Sequence, residues 1–213
     1  METPNPTPPY SPIFRVWWVS FLVLTLIGLL NFLPEDIENL FDLKGTLVDK
    51  GEWWRLITSQ FIHLTFNHTL LNITGYFIVA FSFRQEITPL RETITLFICI
   101  LGVGIGIWKL NPDIYSYVGL SGAIYGMLAS YVIIGYRKTP FLSIFFILYL
   151  IGKFGYEQLF STNNGATEEF IGGLVAIDSH LYGAATGLAL GIIWYCIDSN
   201  KLKTATNQNT EEC

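Results

Sequence analysis

The chain has 213 residues, of which 51% are hydrophobic and only 14% are charged, and its formal net charge is −5. A soluble domain usually carries about 25% charged residues, so this composition excludes an ordinary soluble domain and indicates apolar segments that lie in lipid. The negative charge without a basic cluster argues against nucleic-acid binding, and three cysteines, two in apolar runs and one at the last residue, predict no disulfide framework.

Six apolar segments follow one another along the chain, and each is predicted to be a membrane-spanning helix because backbone in lipid must form its own hydrogen bonds. They cover residues 14–33, 59–83, 92–110, 120–136, 140–160 and 175–197. The first lacks the short apolar core and the cleavage site of a signal peptide, so we expect it to be retained. The predicted fold is an all-α, six-transmembrane-helix bundle over residues 14–198, with a proline-rich disordered tail at 1–13 and a cytoplasmic tail at 199–213.

Lysine and arginine near the helix ends predict the orientation, because they are enriched in cytoplasmic loops. An inside N-terminus places most of them on the cytoplasmic side, namely Arg15, Arg84, Arg91, Arg137, Lys138, Lys201 and Lys203, and fewer outside, namely Lys44, Lys50, Arg55 and Lys109. Both termini are therefore predicted to be cytoplasmic. The long outside loop from Pro34 to Trp54 is followed by Arg55, and tryptophan beside arginine is typical of an anchor at headgroup depth.

All three histidines, His63, His68 and His180, lie in or at the edge of predicted spans, where ionisable groups are costly and usually functional. His68 and Asn72 are four residues apart and share a helix face. His63 lies off that face, so the spacing does not fit the i, i+4 pair of a helical zinc site. We expect no metal and no other cofactor. An alternative role for His68 and Asn72 is an interhelical hydrogen bond that holds the bundle together.

The fourth segment begins with the sequence Gly119-Leu120-Ser121-Gly122. A serine at a helix start is often only a cap, and this motif lacks the second glycine of the hydrolase nucleophile elbow. Glycines spaced by four nevertheless form one stripe on the fourth helix and another on the sixth, namely Gly122 and Gly126, and Gly183, Gly187 and Gly191. Such stripes let helix backbones approach closely in lipid. Since the predicted topology gives His180 and Ser121 a similar depth near the outer face, we expect the two side chains to meet.

A serine hydroxyl becomes a nucleophile when a base takes its proton, and histidine is the usual base near neutral pH. No carboxylate is obviously placed to orient His180, because Asp178 lies two residues away and points to another side of the helix. The sequence therefore favours a dyad of Ser121 and His180.

The oxyanion that forms during acyl transfer needs hydrogen-bond donors. The candidates are the Ser121 amide at a helix N-terminus and the side chains of His68 and Asn72. Tyr125 follows Ser121 by one helical turn, and its ring can pack on His180 or simply fill the helix interface.

These residues resemble the motifs of rhomboid intramembrane serine proteases. The resemblance covers all six segments in family order and rests on Gly-x-Ser-Gly at 119–122, His63-x4-His68-x3-Asn72, Trp54-Arg55, and His180-x2-Gly183-x3-Gly187. It implies a catalytic dyad of Ser121 and His180, with His68 and Asn72 helping the Ser121 amide to stabilise the oxyanion. It also implies that Tyr125 stacks on His180, that residues 34–55 form a membrane-embedded loop, and that the fifth segment is a mobile side gate.

Within that family the chain looks most like rhombosortase-like members, through the sequences at 51–58, 157–160 and 178–183. This resemblance implies membrane-anchored substrates with a C-terminal Gly-Gly tail, a hydrophobic helix and a basic end. It further implies a bacterial inner membrane protein whose active site opens to the periplasm. Ser179 departs from the alanine that is common before the family's histidine. The alternatives are a general rhomboid protease of other single-span substrates, a non-catalytic relative, and a transporter with the polar residues along its path.

Overall fold

The computed structural model describes residues 12–160 and 166–211, and these residues form helices and connecting turns without a β-strand. The helices in chain order are α1 Pro12–Leu30, α2 Glu35–Glu38, α3 Gly45–Val48, α4 Arg55–Thr58, α5 Phe66–Ser82, α6 Pro89–Leu110, α7 Ser121–Gly135, α8 Pro140–Phe160, α9 Ala166–Ile171 and α10 Ile177–Glu211. A 3₁₀ turn at Ser59–Phe61 follows α4.

Each of the six predicted segments overlaps one helix of at least 15 residues. Within the described residues three helices are long and apolar enough to cross a membrane, judged by length and composition: Pro89–Leu110, Pro140–Phe160 and Ile177–Lys201. Two shorter apolar helices are Trp17–Leu30 and Ser121–Gly135. The prediction of an all-α membrane bundle is confirmed.

The helix bounds differ from the predicted segment bounds at the start of α5 and at the end of α10. The second segment does not become an α-helix until Phe66, because the Thr65 side chain caps the helix by accepting a hydrogen bond from the His68 amide at 3.2 Å. The last helix continues to Glu211, well past the predicted end of the segment at 197. Of the predicted N-terminal tail, residues 1–11 lie outside the described residues, and α1 begins at Pro12.

Helix α7 lies at the centre of the bundle. Twelve of its 15 residues are buried, and it packs against α5, α6, α8 and α10. An apolar helix that is buried on all sides belongs to the core rather than to the lipid boundary. The residue at its first position, Ser121, is therefore held by packing on every side of the helix.

The two glycine stripes face each other. A Cβ atom on Gly122 would come within 2.8 Å of the Ser179 carbonyl oxygen, and one on Gly183 or Gly187 would collide with the carbonyl oxygen of Gly122 or Gly126. Residue numbers rise together along this contact, so α7 and α10 are parallel and their N-terminal ends lie side by side. Close backbone approach at small residues is how membrane helices pack.

The first loop is held by Arg55, whose role differs from the predicted headgroup anchor. Its side chain is buried, and it forms an ion pair with Asp42 at 2.8 Å and with Glu52 at 2.7 Å. Trp54 is half exposed, and its indole N–H donates to the Leu40 carbonyl. A guanidinium presents several donors in a fixed fork, so Arg55 can join the loop segments on both sides of α3 and bind them to the start of α4.

Candidate active site

Ser121 and His180 lie in contact at the paired ends of α7 and α10. Ser121 is the first residue of α7 and His180 lies in the first turn of α10. The Ser121 Oγ atom is 3.0 Å from His180 Nε2, within the range in which a base can take a hydroxyl proton. The glycine contact between the two helices explains this proximity, because it sets the spacing of the backbones that carry both side chains.

The second nitrogen of the His180 ring faces a carboxylate. Glu157, near the end of α8, places its Oε1 and Oε2 atoms 2.9 and 3.0 Å from His180 Nδ1. The prediction that no carboxylate orients His180 is therefore wrong. Asp178 does point elsewhere, since it accepts a hydrogen bond from Asn111 at 2.7 Å.

Sequence reasoning missed Glu157 because it considered only carboxylates close to His180 in sequence. Glu157 lies on another helix, and nothing in the sequence states how α8 packs against α10. A signal was nevertheless present. Glu157 is the single acidic residue in the fifth segment, and an ionisable group inside a predicted span is a candidate for function.

His68 and Asn72, in the first turns of α5, line the same cavity as Ser121 and His180. The Leu64 amide donates to His68 Nδ1 at 3.3 Å, so a neutral His68 ring carries its proton on Nε2 and can donate from that atom. Asn72 donates one N–H to the His68 carbonyl at 3.0 Å and retains a second. His68 and Asn72 thus each have a donor available in the cavity that Ser121 lines.

Gly119 gives the His68 ring its place next to Ser121. The Gly119 backbone has φ +113°, a conformation that residues with a side chain rarely adopt, and a Cβ atom there would lie 2.8 Å from His68 Nε2. The Gly119 amide donates to the Ser59 carbonyl at 3.0 Å, which ties the segment before α7 to the turn before α5.

Tyr125 contacts the His180 ring, although the two rings are tilted rather than stacked. Their centroids are 4.6 Å apart and their planes meet at 55°. The Tyr125 hydroxyl lies 3.2 Å from the hydroxyl of Tyr149 on α8. Tyr125 therefore both covers one face of the imidazole and connects α7 to α8.

The remaining predicted site residues support the site from outside the cavity. His63 lies in the loop before α5, and its ring meets the His68 ring edge-on with centroids 4.9 Å apart. His63 is buried and packs behind the His68 ring. Neither His63 nor Trp54 nor Arg55 is among the described residues that line the cavity.

The cavity has a volume of about 730 Å³ and extends from the Ser121–His180 contact between α5 and α8. Apolar residues form much of its wall, including Leu71, Ile78 and Phe146. A serine hydroxyl in contact with an imidazole nitrogen, polar side chains in the same cavity and an apolar approach are an arrangement that could carry out acyl transfer on an apolar polypeptide.

Comparisons with known proteins agree with this chemistry. Residues 50–196 match the family model described as the rhomboid domain. A Bacillus subtilis (strain 168) protein named as a candidate rhomboid protease, YdcA, is 27% identical over 146 residues, which cover 68% of this chain and 69% of that protein. The rhomboid protease GluP of the same organism is 27% identical over 176 residues, which cover 78% of this chain but only 34% of GluP.

The family-model match covers more than half of the chain and includes the serine, the three histidines and Asn72. The chain therefore belongs to the rhomboid family of intramembrane serine proteases.

Proposed function

We propose that the chain cleaves membrane-anchored proteins within the bilayer, with Ser121 as nucleophile and His180 as general base. The observation that carries this proposal is the 3.0 Å contact between Ser121 Oγ and His180 Nε2 at the end of an apolar cavity. A polar pair inside a membrane-spanning bundle costs free energy, and such groups are usually functional.

The reaction follows from the positions of the two side chains. Ser121 Oγ attacks the carbonyl carbon of the scissile bond while its proton passes to His180 Nε2. The tetrahedral intermediate then collapses, the carbon–nitrogen bond breaks, and the leaving amine takes the proton from Nε2. A water molecule, deprotonated by the same nitrogen, attacks the acyl-enzyme and releases the new carboxyl terminus and the serine.

The negative charge of each intermediate requires donors that are already in place. We assign this role to the Ser121 amide, which has no intrahelical acceptor at the first position of α7, and to His68 and Asn72. The Nδ1 contact of His68 with the Leu64 amide leaves the Nε2 proton available for the oxyanion. Tyr125 limits the movement of the His180 ring through the contact described above.

The substrates that fit best are proteins held by a C-terminal hydrophobic anchor preceded by Gly-Gly, as in rhombosortase-like members. The apolar wall between α5 and α8 suits a hydrophobic segment. Glycine weakens a helix and has no Cβ, so a Gly-Gly pair would let the peptide extend and approach Ser121 closely. General rhomboid proteolysis of other single-span proteins is the alternative within the same chemistry.

The distribution of lysine and arginine supports a bacterial inner-membrane location with both termini in the cytoplasm. Since α7 and α10 are parallel, Ser121 and His180 then lie together near the periplasmic face. Water for hydrolysis can reach a site at this depth without crossing the bilayer centre.

The test is cleavage of a reporter protein with a C-terminal Gly-Gly, hydrophobic and basic tail in a membrane that contains either the wild-type chain or Ser121→Ala. We expect cleavage by wild type only, with the same loss for His180→Ala. Equal cleavage by Ser121→Ala would refute the assignment. A second reporter with Leu-Leu in place of Gly-Gly separates the subclasses, because equal cleavage of both reporters would favour the general protease.

A further inference from the structure

Glu157 supplies the carboxylate that faces His180. The proposed dyad of Ser121 and His180 assigns it no role. Both oxygens of Glu157 lie within 3.0 Å of His180 Nδ1, and the two side chains are 5% and 6% exposed. A carboxylate that reaches a ring nitrogen with both oxygens in a buried setting restricts rotation of that ring. Water does not compete for these atoms as it would at the surface.

We propose that Glu157 is a positioning residue for His180, so that the site is a serine–histidine–glutamate arrangement rather than a dyad. This inference rests on the proposed function of Ser121 and His180. Glu157 does not touch the reacting atoms, and it acts through the imidazole ring.

The ionised carboxylate selects the ring tautomer that a base requires. An ionised glutamate only accepts hydrogen bonds, so the proton of a neutral His180 ring must lie on Nδ1. The lone pair on Nε2 then points toward Ser121 Oγ. When His180 takes the serine proton, Glu157 stays ionised and stabilises the imidazolium by its charge.

The Lys153 side chain lies beside this carboxylate, and an opposite charge at this distance favours the ionised form of a carboxyl group. Its Nζ atom lies 2.9 Å from Glu157 Oε1, one helical turn earlier on α8. A buried carboxylate without a partner would take up a proton, and a protonated Glu157 could donate to Nδ1 and favour the opposite tautomer. Lys153 is also partly exposed to the cavity, so its charge retains some contact with water.

A simpler role for Glu157 is a helix-stabilising ion pair with Lys153. Such an i, i+4 pair needs no third partner, and it does not account for the direction of both carboxylate oxygens toward His180. The two roles predict different results when the charge is removed. A purely stabilising pair would change the melting temperature alone, whereas a positioning residue changes the rate of the chemical step.

The test compares full-length wild type with Glu157→Gln, using reporter cleavage and the rate of covalent labelling by a fluorophosphonate. The Gln amide can donate to Nδ1 and stabilise the unsuitable tautomer, so we expect kcat and the labelling rate to fall by about 100-fold with KM nearly unchanged. Glu157→Asp keeps the charge and should recover part of the rate. Glu169→Gln, which removes an exposed carboxylate in α9, is the matched control and should equal wild type.

Two outcomes distinguish failure of this inference from failure of the proposed function. If Ser121→Ala is inactive while Glu157→Gln matches Glu169→Gln, Glu157 has no positioning role although the Ser121–His180 assignment stands. If Ser121→Ala remains active, the assignment itself is wrong.

A spectroscopic measurement on the wild-type chain covers the case in which Glu157→Gln does not fold. The chain has only three histidines, so their ring ¹⁵N signals can be assigned by single substitutions. We expect the neutral His180 ring to carry its proton on Nδ1. A proton on Nε2 would overturn the proposal.

Discussion

The geometry of Asn72 bears on whether its side chain is an oxyanion donor or only forms a structural hydrogen bond. Its side chain lines the cavity with Ser121, and one of its N–H groups donates to the His68 carbonyl at 3.0 Å. Its Oδ1 atom is buried and has no partner among the described residues. The oxygen is an acceptor and has no bearing on oxyanion binding, whereas the second N–H of the amide can donate to a ligand in the cavity.

Asn72→Ala should lower kcat by about 10- to 100-fold with little change in KM, because the lost donor acts on charge that exists only in the transition state. Steady-state cleavage of the anchored reporter measures both constants. An unchanged kcat would show that Asn72 only packs, and a raised KM with unchanged kcat would place it in substrate binding.

The residues of the site differ in how far sequence could predict them. Ser121, His180, His68 and Asn72 were identifiable because each is a polar group in an apolar segment with helical spacing to a partner or to a glycine stripe. Glu157 could be seen as unusual but not assigned, since its partner depends on how two distant helices pack. The buried position of Arg55 was unpredictable for the same reason, because Asp42 comes from another part of the loop.

At the level of secondary-structure elements, the contact between α7 and α10 determines whether the site exists. The Gly187 Cα faces the Gly126 carbonyl, and any Cβ atom at 187 would collide with that oxygen. Gly28 in α1 has no atom within 4 Å of the same position. The two glycines therefore provide a matched pair in which the same substitution meets a helix backbone in one case and open space in the other.

Gly187→Ala should reduce stability by about 1–3 kcal/mol through overpacking and should slow fluorophosphonate labelling, because separation of α7 and α10 moves His180 away from Ser121. Gly28→Ala should leave both quantities at wild-type values or raise stability slightly. Thermal unfolding in detergent and the labelling rate provide the two measurements. Equal behaviour of both variants would contradict the close backbone contact.

Helix number and order followed from the sequence, whereas helix ends did not. Apolar length is a strong signal because lipid allows few alternatives to a helix. The start of α5 depended on a single side-chain cap at Thr65, and α10 continues into a polar segment that composition alone would assign to a tail. Both features depend on local hydrogen bonds that hydropathy does not report.

At the scale of the whole molecule, the two ends of the bundle have different polar centres. The end that carries Ser121 opens to the cavity between α5 and α8. Away from this site, Glu92 of α6 is buried. It accepts hydrogen bonds from Ser20 of α1, from Tyr76 of α5 and from Arg84, which follows α5. A buried carboxylate with this many donors is satisfied, so Glu92 holds helices together, whereas Glu157 faces the His180 ring.

The parallel arrangement of α7 and α10 could be predicted at this scale, because a single crossing, made by the fifth segment, lies between the two and both therefore cross in the same direction. The position of α8 beside the site could not. Only four of the residues in α8 are buried, namely Ser143, Phe146, Leu150 and Glu157, so its packing leaves little hydrophobic pattern in the sequence. A mobile side gate at α8 stays a prediction.

The most direct test of the central assignment is the site of covalent modification by a fluorophosphonate in the full-length chain. The account predicts a single adduct at Ser121, found by peptide mass spectrometry, that is lost in Ser121→Ala and strongly reduced in His180→Ala. An adduct on another residue, or labelling that persists unchanged in either variant, would contradict the claim that Ser121 is the nucleophile activated by His180.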